Sequence, residues 1–473
     1  MMRRLLLALL LAACGGDDAP LLPDLGPGPG PADLGPSPTM ALQGVALFEN
    51  PRNVLSYDVE WTTPVPATTV MEVRCGDERA GLFTPPGLRL DHRVFVMGLV
   101  PEATCVFRLR STDESGQVAG QDETVQVAPL PALVDLDVRV TFEDASELQP
   151  GWTLLHLNNT VSLPVLLYLD AQGRVRWYRL LEQIGNDTEV TRQPEGILVG
   201  GAGGGQPHFI GWDGAELWGL DGTTANHDIR RYPDAHSVTF ITFRESCGGF
   251  DNIGTVATRD MRTGERTYEW SVCDAITPPM YFEDWAHLNT FEPIAEEGAF
   301  LTSARNQNQV YKVDMATGEV LWRLGEGGDF AMPEEALFQW QHSPELQPDG
   351  HIVLFDNGEP GRRESSRAIE LSLDETAMTA ELVWEFVPSD GLWTPTYGDA
   401  DRLANGNTLV NFGERNTARH AYVIEARPDG TEAWRLRLPL GYVGYRADRD
   451  DIPPLLRFRD ELPRELFDVT TDP

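Results

Sequence analysis

The sequence predicts an all-β protein in which a β-sandwich precedes a six-bladed β-propeller, and three observations carry that expectation. The 45 glycines and 35 prolines are scattered rather than periodic, which suits many short strands joined by turns. Short stretches of alternating polarity dominate the chain, and nothing in the composition favours long helices. Finally, a hairpin whose second strand carries a tryptophan recurs six times between residues 167 and 434.

The chain has 473 residues, 41% of them hydrophobic, a globular composition long enough for two or three domains. Lys and Arg number 37 against 73 Asp and Glu, a net charge of −36. Such a field repels polyanions, which disfavours nucleic acid and bare anionic lipid as partners.

Residues 1–13 read as an export signal. Arg3 and Arg4 precede an apolar run over 5–13 that is too short to cross a bilayer. The sequence Leu11-Ala12-Ala13-Cys14 resembles the lipobox of bacterial lipoproteins. That resemblance implies cleavage before Cys14 and a diacylglycerol on its sulfur, firm enough with a further acyl chain to anchor the protein. Residues 14–40 are rich in Gly, Pro and Asp and form a tether. The expected location is the bacterial cell envelope, on the periplasmic face or the cell surface, with the lipid as the sole membrane contact. Four further cysteines, Cys75, Cys105, Cys247 and Cys273, make an even set in an exported chain. Proximity suggests pairing Cys75 with Cys105 and Cys247 with Cys273, although four cysteines permit three connectivities.

Residues 41–130 alternate as a sandwich does, for example over 54–61 and 105–110, between Pro, Gly and Asp turns. The stretch 98–105, followed by the loop 111–116, resembles the F-strand region of fibronectin type III domains, with Cys105 where Tyr is usual. This resemblance implies an immunoglobulin-like sandwich and, for function, a spacer or docking module.

Residues 134–456 hold the repeat, and 457–473 form a tail. The hairpins are LYLDAQGRVRW (167–177), FIGWDGAELW (209–218), VATRDMRTGERTYEW (256–270), VYKVDMATGEVLW (310–322), 368–384, and YVIEARPDGTEAW (422–434). Their tryptophans, Trp177, Trp218, Trp270, Trp322, Trp384 and Trp434, are spaced by 41, 52, 52, 62 and 50 residues, close to one four-stranded blade plus loops.

A second periodicity involves histidine. Residues 227–238 align without gaps on 342–353, and in both a histidine precedes Pro-Asp by six residues. His287-Leu288-Asn289 occupies the equivalent place in the next unit, and Gly398-Asp399 in another. If this position opens the innermost strand of a blade, His227, His287 and His342 converge on the mouth of the central channel. Arg305 adds a permanent cation at a strand end in the His287 unit. Three imidazoles alone could bind zinc. With a guanidinium beside them they suit an oxyanion such as sulfate or phosphate better, so no metal is expected. Trp285, Trp340, Phe282, Phe338, Trp393 and Tyr397 are aromatic candidates for a pocket wall.

At this point the chain resembles the bacterial arylsulfate sulfotransferase family. The motifs run in order over about 300 residues: NHDI (226–229), DWAHLN (284–289), SARNQ (303–307), QH (341–342), FDNG (355–358) with SRA (366–368), GDA (398–400) with NGNTL (405–409), and YRA (445–447). The resemblance implies a sulfotransferase that uses neither a nucleotide sulfate donor nor another cofactor. Its partners would be a small-molecule aryl sulfate and a phenol. His342 would be the nucleophile and form a sulfohistidine in a ping-pong cycle. Arg305, His287, Asn289 and His227 would hold the sulfuryl and leaving oxygens. His227 or His287 would handle the acceptor proton. Ser343-Pro344 after the nucleophile departs from the more usual polar followers and leaves the aryl specificity open. Two rival readings exist. One is a non-catalytic, surface-anchored binding propeller. The other, suggested by Val313 to Trp322, is a quinone-dependent oxidoreductase, a class that usually has eight blades and a calcium-binding carboxylate site.

Overall fold

Alternation and turn chemistry give an all-β chain. A computed structural model describes residues 40–83, 87–144, 146–158, 163–181, 189–200, 206–244, 253–277, 284–414, 418–450 and 456–458. The signal segment, Cys14, the tether up to residue 39, Cys247 and most of the tail 457–473 lie outside the described residues. No helix among the described residues is long and apolar enough to cross a membrane.

The N-terminal part is organised by one 19-residue strand, Tyr57–Cys75, which changes partners midway. Its first half pairs with Gln43–Glu49 and Arg89–Val96, as in Phe48 opposite Asp58 and Val59 opposite Val94. Its second half pairs with Glu78–Phe83 and Thr104–Asp113, and the latter pairs in turn with Val118–Gln126. Pro64 and Pro66 sit at the changeover, where the register with Arg89–Val96 shifts between Thr62 and Ala67. Proline cannot donate to a ladder, so pairing lapses there while the chain stays extended. The alternating residues Val59, Trp61, Met71, Val73 and Phe107 bury together. Cys75 and Cys105 face each other in register and are bonded, their Cα atoms 4.0 Å apart. Cys273 is also disulfide-bonded.

Among the described residues six antiparallel sheets follow. The first is completed across the whole chain: Trp152–Asn158 pairs with Val165–Leu169 on one side and with the late strand Val443–Asp450 on the other. The second to fifth sheets are each four consecutive strands, opening with Val190–Gln193, Asn226–Arg231, Glu292–Ile294 and His342–Leu346. The sixth opens with Asp399–Arg402 and gains Arg139–Glu143 beside its fourth strand Glu432–Arg437.

The recurring tryptophans stand on the last hairpin strand of these sheets, and the indole N–H groups of four of the six tie one sheet to the next. Trp177 Nε1 donates to Trp212 O at 2.8 Å, Trp218 to Met261 O at 2.6 Å and Trp270 to Gly318 O at 2.9 Å. In the same way Trp434 of the sixth sheet donates to Ala171 O of the first at 2.8 Å. Each pairs a buried indole N–H with a turn carbonyl, which removes the penalty of burying either alone. The N-terminal sheet docks on the first two of the six: Asn53 Nδ2 donates to Tyr178 O at 3.0 Å and Asn50 Nδ2 to Asp213 O at 2.9 Å. Residues from Met40 onward accordingly form one compact unit.

Candidate active site

The opening strands of the six sheets bring polar residues to one place. A cavity of about 250 Å³ is lined by Thr191, Arg230, Glu292, Ser343, Asp399 and Arg446, one from each sheet, together with further carboxylates. At equivalent points on three of these strands the ladder is interrupted by a bulge. The shifts fall between Asn226 and Ile229, between His342 and Glu345, and between Gly444 and Ala447. Bulges re-aim side chains and are common beside active sites. Here they release His227, His342 and Tyr445 from simple alternation, and His227 and Ser343 take positive φ values of 60° and 51°.

His227 and His342 stand on opening strands, Asn226–Arg231 and His342–Leu346, whereas His287 precedes Glu292–Ile294 by five residues and still reaches the same neighbourhood. The rings of His227 and His287 are 4.9 Å apart, and Tyr445 lies 5.7 Å from His227 and 6.2 Å from His342. Tyr445, quoted in a motif but given no role by the sequence, therefore bridges the two buried histidines. Its hydroxyl is 3.1 Å from His227 Nδ1.

Each imidazole is held through Nδ1. For His342 the partners are Asn357 Oδ1 at 2.7 Å and Trp340 O at 3.0 Å. The Asn357 orientation is fixed, because its Nδ2 donates to Thr394 O at 2.7 Å and Tyr397 O at 3.0 Å. Two oxygen acceptors around Nδ1 require a proton there, which leaves the lone pair on Nε2. Burial pushes the His342 pKa well below the usual imidazole value, and the Arg305 charge reinforces this. His227 is likewise shifted well down, by burial and then by His287 and His342. His342 is thus a buried, neutral imidazole with a defined tautomer. His287 differs: its Nδ1 hydrogen-bonds the Asp284 carboxylate, and its side chain is 28% exposed.

Arg305 follows the strand Ala299–Ala304 and spreads its guanidinium over Trp340, 4.8 Å from the ring centre. Nη2 donates to Pro395 O and Nη1 to Asn306 Oδ1, both at 2.7 Å. Burial lowers its pKa to about 10, so it remains charged at neutrality. Asn289 is fully buried, and its Nδ2 donates to Gln341 O at 2.9 Å. The amide thereby supports the backbone that enters His342. Among the aromatic candidates, Trp285 and Phe338 belong to the core, Tyr397 packs on Tyr445 at 5.6 Å, and Phe282 lies outside the described residues.

Beneath the histidines Arg446 separates them from an acidic floor. Its Nη2 donates to Asn289 O at 2.8 Å, and its Nη1 is 2.7 Å from Glu189 and 3.4 Å from Asp228. Arg446 pulls the Glu189 pKa down, but burial, Asp228 and Asp399 outweigh it and the net shift is upward. Glu292 rises to about 7, and Asp401 and Asp448 rise well above the carboxylate range, burial leading in each case. Sequence reading missed this floor entirely. As for metals, the one His/Cys/Asp/Glu group among the described residues with ligand atoms all within 4.8 Å of one another is Asp349, His351 and Glu370, away from these histidines.

The all-β scaffold thus collects three imidazoles, a guanidinium and a buried tyrosine in one neighbourhood. The Arylsulfotransferase (ASST) family model matches residues 137–434, and the chain belongs to that family. No curated protein matches the chain. Among solved structures, hydrazine synthase of Kuenenia stuttgartiensis is 12% identical with a TM-score of 0.30, covering 46% of this chain and 50% of its own. A luciferin-regenerating enzyme is 9% identical with a TM-score of 0.35, covering 65% and 99%. Sqt1 of Saccharomyces cerevisiae is 9% identical with a TM-score of 0.32, covering 85% and 96%. At these scores the structural likenesses carry no inference about this protein.

Proposed function

We propose that this protein is an arylsulfate sulfotransferase that moves a sulfuryl group from an aryl sulfate to a phenol through a sulfohistidine at His342. The observation that carries the reading is the clamp on His342 Nδ1 by Asn357 Oδ1 and Trp340 O, which presents Nε2 as a neutral nucleophile. In the donor half, Nε2 bonds to sulfur, the aryl S–O bond breaks, and the phenolate leaves with the electron pair. In the acceptor half, a phenol gives up its proton, its oxygen bonds to sulfur, and the N–S pair returns to Nε2. Arg305 stabilises the charge that spreads over the sulfuryl oxygens in both transition states. The six sheets are the blades of a propeller in this reading, with indole bonds from Trp177, Trp218, Trp270 and Trp434 linking neighbouring blades and the last of these joining the sixth to the first. The N-terminal sheet is a fibronectin-like spacer, and lipid on Cys14 tethers the protein to the cell envelope.

The test uses the protein lacking residues 1–38 with 4-nitrophenyl sulfate. Nitrophenolate release should be a single burst without phenol and continuous with it. Absence of release across several aryl sulfates and phenols, with ligand binding intact, would favour a binding propeller. The burst also has a characteristic pH dependence. Protonation of Nε2 blocks attack, and burial with Arg305 holds that protonation below the ordinary value of about 6.5. The burst rate should therefore stay level through pH 6.5 and fall only under more acid conditions. A fall centred at or above 6.5 would contradict the neutral-imidazole account.

A further inference from the structure

We infer that Asp284 is a positioning residue that makes His287, rather than His227, the group that takes the proton from the acceptor phenol; the assignment rests on the sulfuryl-transfer reading above. Asp284 and His287 both adopt left-handed backbone conformations, with φ of 51° and 49°, and three residues apart they turn their side chains together. The His287 Nδ1 proton goes to the Asp284 carboxylate, so Nε2 is left as the basic nitrogen.

This segment is fastened to the turn that carries Arg305. Arg305 N donates to His287 O and Asn306 N to Ala286 O, both at 3.2 Å. Asn306 Nδ2 donates to Asp284 O at 2.9 Å, and Gln307 Nε2 to Trp285 O at 2.7 Å. The base, its carboxylate and the sulfuryl-holding cation therefore move as one unit. Asp284 is also the first of the anionic groups acting on the Arg305 charge.

Among the described residues no carboxylate supports His227 in this way. It is buried at 5% exposure, its Nδ1 faces the Tyr445 hydroxyl, and its cationic form is opposed by His287, His342, Arg446 and Arg305 together. Asp284 and His287 are each about one-third exposed, at 34% and 28%, so the dyad is accessible to an acceptor in a way that His227 is not. A carboxylate behind an imidazole fixes its tautomer and stabilises the imidazolium that forms as the proton arrives.

The two half-reactions separate this role from a structural one. Nitrophenolate leaves without a proton, whereas an unactivated phenol must lose one. Sulfo-adduct formation and its discharge are to be measured separately in the unaltered protein, Asp284→Asn and Asp284→Glu, with 4-nitrophenyl sulfate as donor and a series of phenols of increasing pKa. Asp284→Asn should slow discharge to phenol about 100-fold and by at least tenfold more than it slows adduct formation. The loss should shrink for acidic phenols that arrive ionised, and Asp284→Glu should recover part of it. Discharge at the unaltered rate, or equal slowing of both steps for every phenol, overturns the assignment of Asp284. Failure of the unaltered protein to form any adduct overturns the sulfuryl-transfer reading itself, and this assignment with it.

Discussion

His342→Asn eliminates the sulfo-adduct and lowers aryl sulfate turnover by roughly 10⁴-fold or more, the scale on which loss of a covalent nucleophile acts. Asparagine fits the space and can still meet Asn357, but its amide nitrogen has no lone pair to offer sulfur. The residual cluster of His227, His287 and Arg305 would still bind the sulfate group. Substrate affinity, followed by isothermal titration with an aryl sulfate, should accordingly change far less than turnover. Thermal unfolding monitored by circular dichroism checks that the buried site remains folded. Full activity in a folded variant would remove His342 from the mechanism.

Asn357→Leu should be nearly as damaging although Asn357 touches no substrate. Its Oδ1 accepts the His342 Nδ1 proton, while its Nδ2 is pinned by Thr394 O and Tyr397 O. Leucine removes the side-chain acceptor and leaves Trp340 O alone to hold the ring. The tautomer with the proton on Nε2, which cannot attack, then becomes accessible. Loss of tautomer control in a catalytic imidazole costs up to about 10⁴-fold in a well-studied hydrolase triad, and a loss of roughly 10²-fold or more is expected here. Stopped-flow measurement of the nitrophenolate burst reads the attack step directly. Thr394 O and Tyr397 O lose the Asn357 donor but keep the Ser366 and Thr394 hydroxyls at 3.3 and 3.1 Å, so the stability loss should be small, and the burst should be measured well below the melting temperature. An unchanged burst would show that Trp340 O suffices.

These expectations draw unequally on sequence and structure. The hairpins were legible because a strand, a Gly or Asp turn and a tryptophan recur with near-constant spacing, and all six are antiparallel pairs, as in Phe209 opposite Trp218 and Glu425 opposite Trp434. The three histidines were legible for a related reason: His227 and His342 each precede Pro-Asp by six residues, His287 stands ahead of a turn in its own unit, and equivalent positions in repeated units share one neighbourhood. The strand Tyr57–Cys75 was not, since Pro64 and Pro66 read as a turn where the chain in fact stays extended and exchanges partners. Nor could the closing pair of Trp152–Asn158 with Val443–Asp450 be placed, because nothing local marks strands almost 300 residues apart as partners.

Within the site, residue types were more visible than roles. Asp284 and Asn357 stand in the motifs, but only the left-handed turn at 284–287 and the bonds from Asn357 Nδ2 show what each one holds. Asn289 was assigned to substrate from its motif, and the structure engages its amide with Gln341 O. The acidic floor was invisible for a physical reason. Asp399 and Asp401, like Arg446 and Asp448, alternate along strands as solvent-facing residues do, and a polar stripe lining a cavity looks the same in sequence as one facing water.

The central claim is a covalent bond between sulfur and His342 Nε2. Intact-mass analysis after mixing the protein with 4-nitrophenyl sulfate in the absence of phenol, followed by peptide mapping of the labile adduct, addresses it most directly. One sulfuryl group per chain, located on His342 and discharged on adding phenol, is the predicted result. Sustained phenol-dependent transfer with no adduct, or an adduct on a different residue, would contradict it.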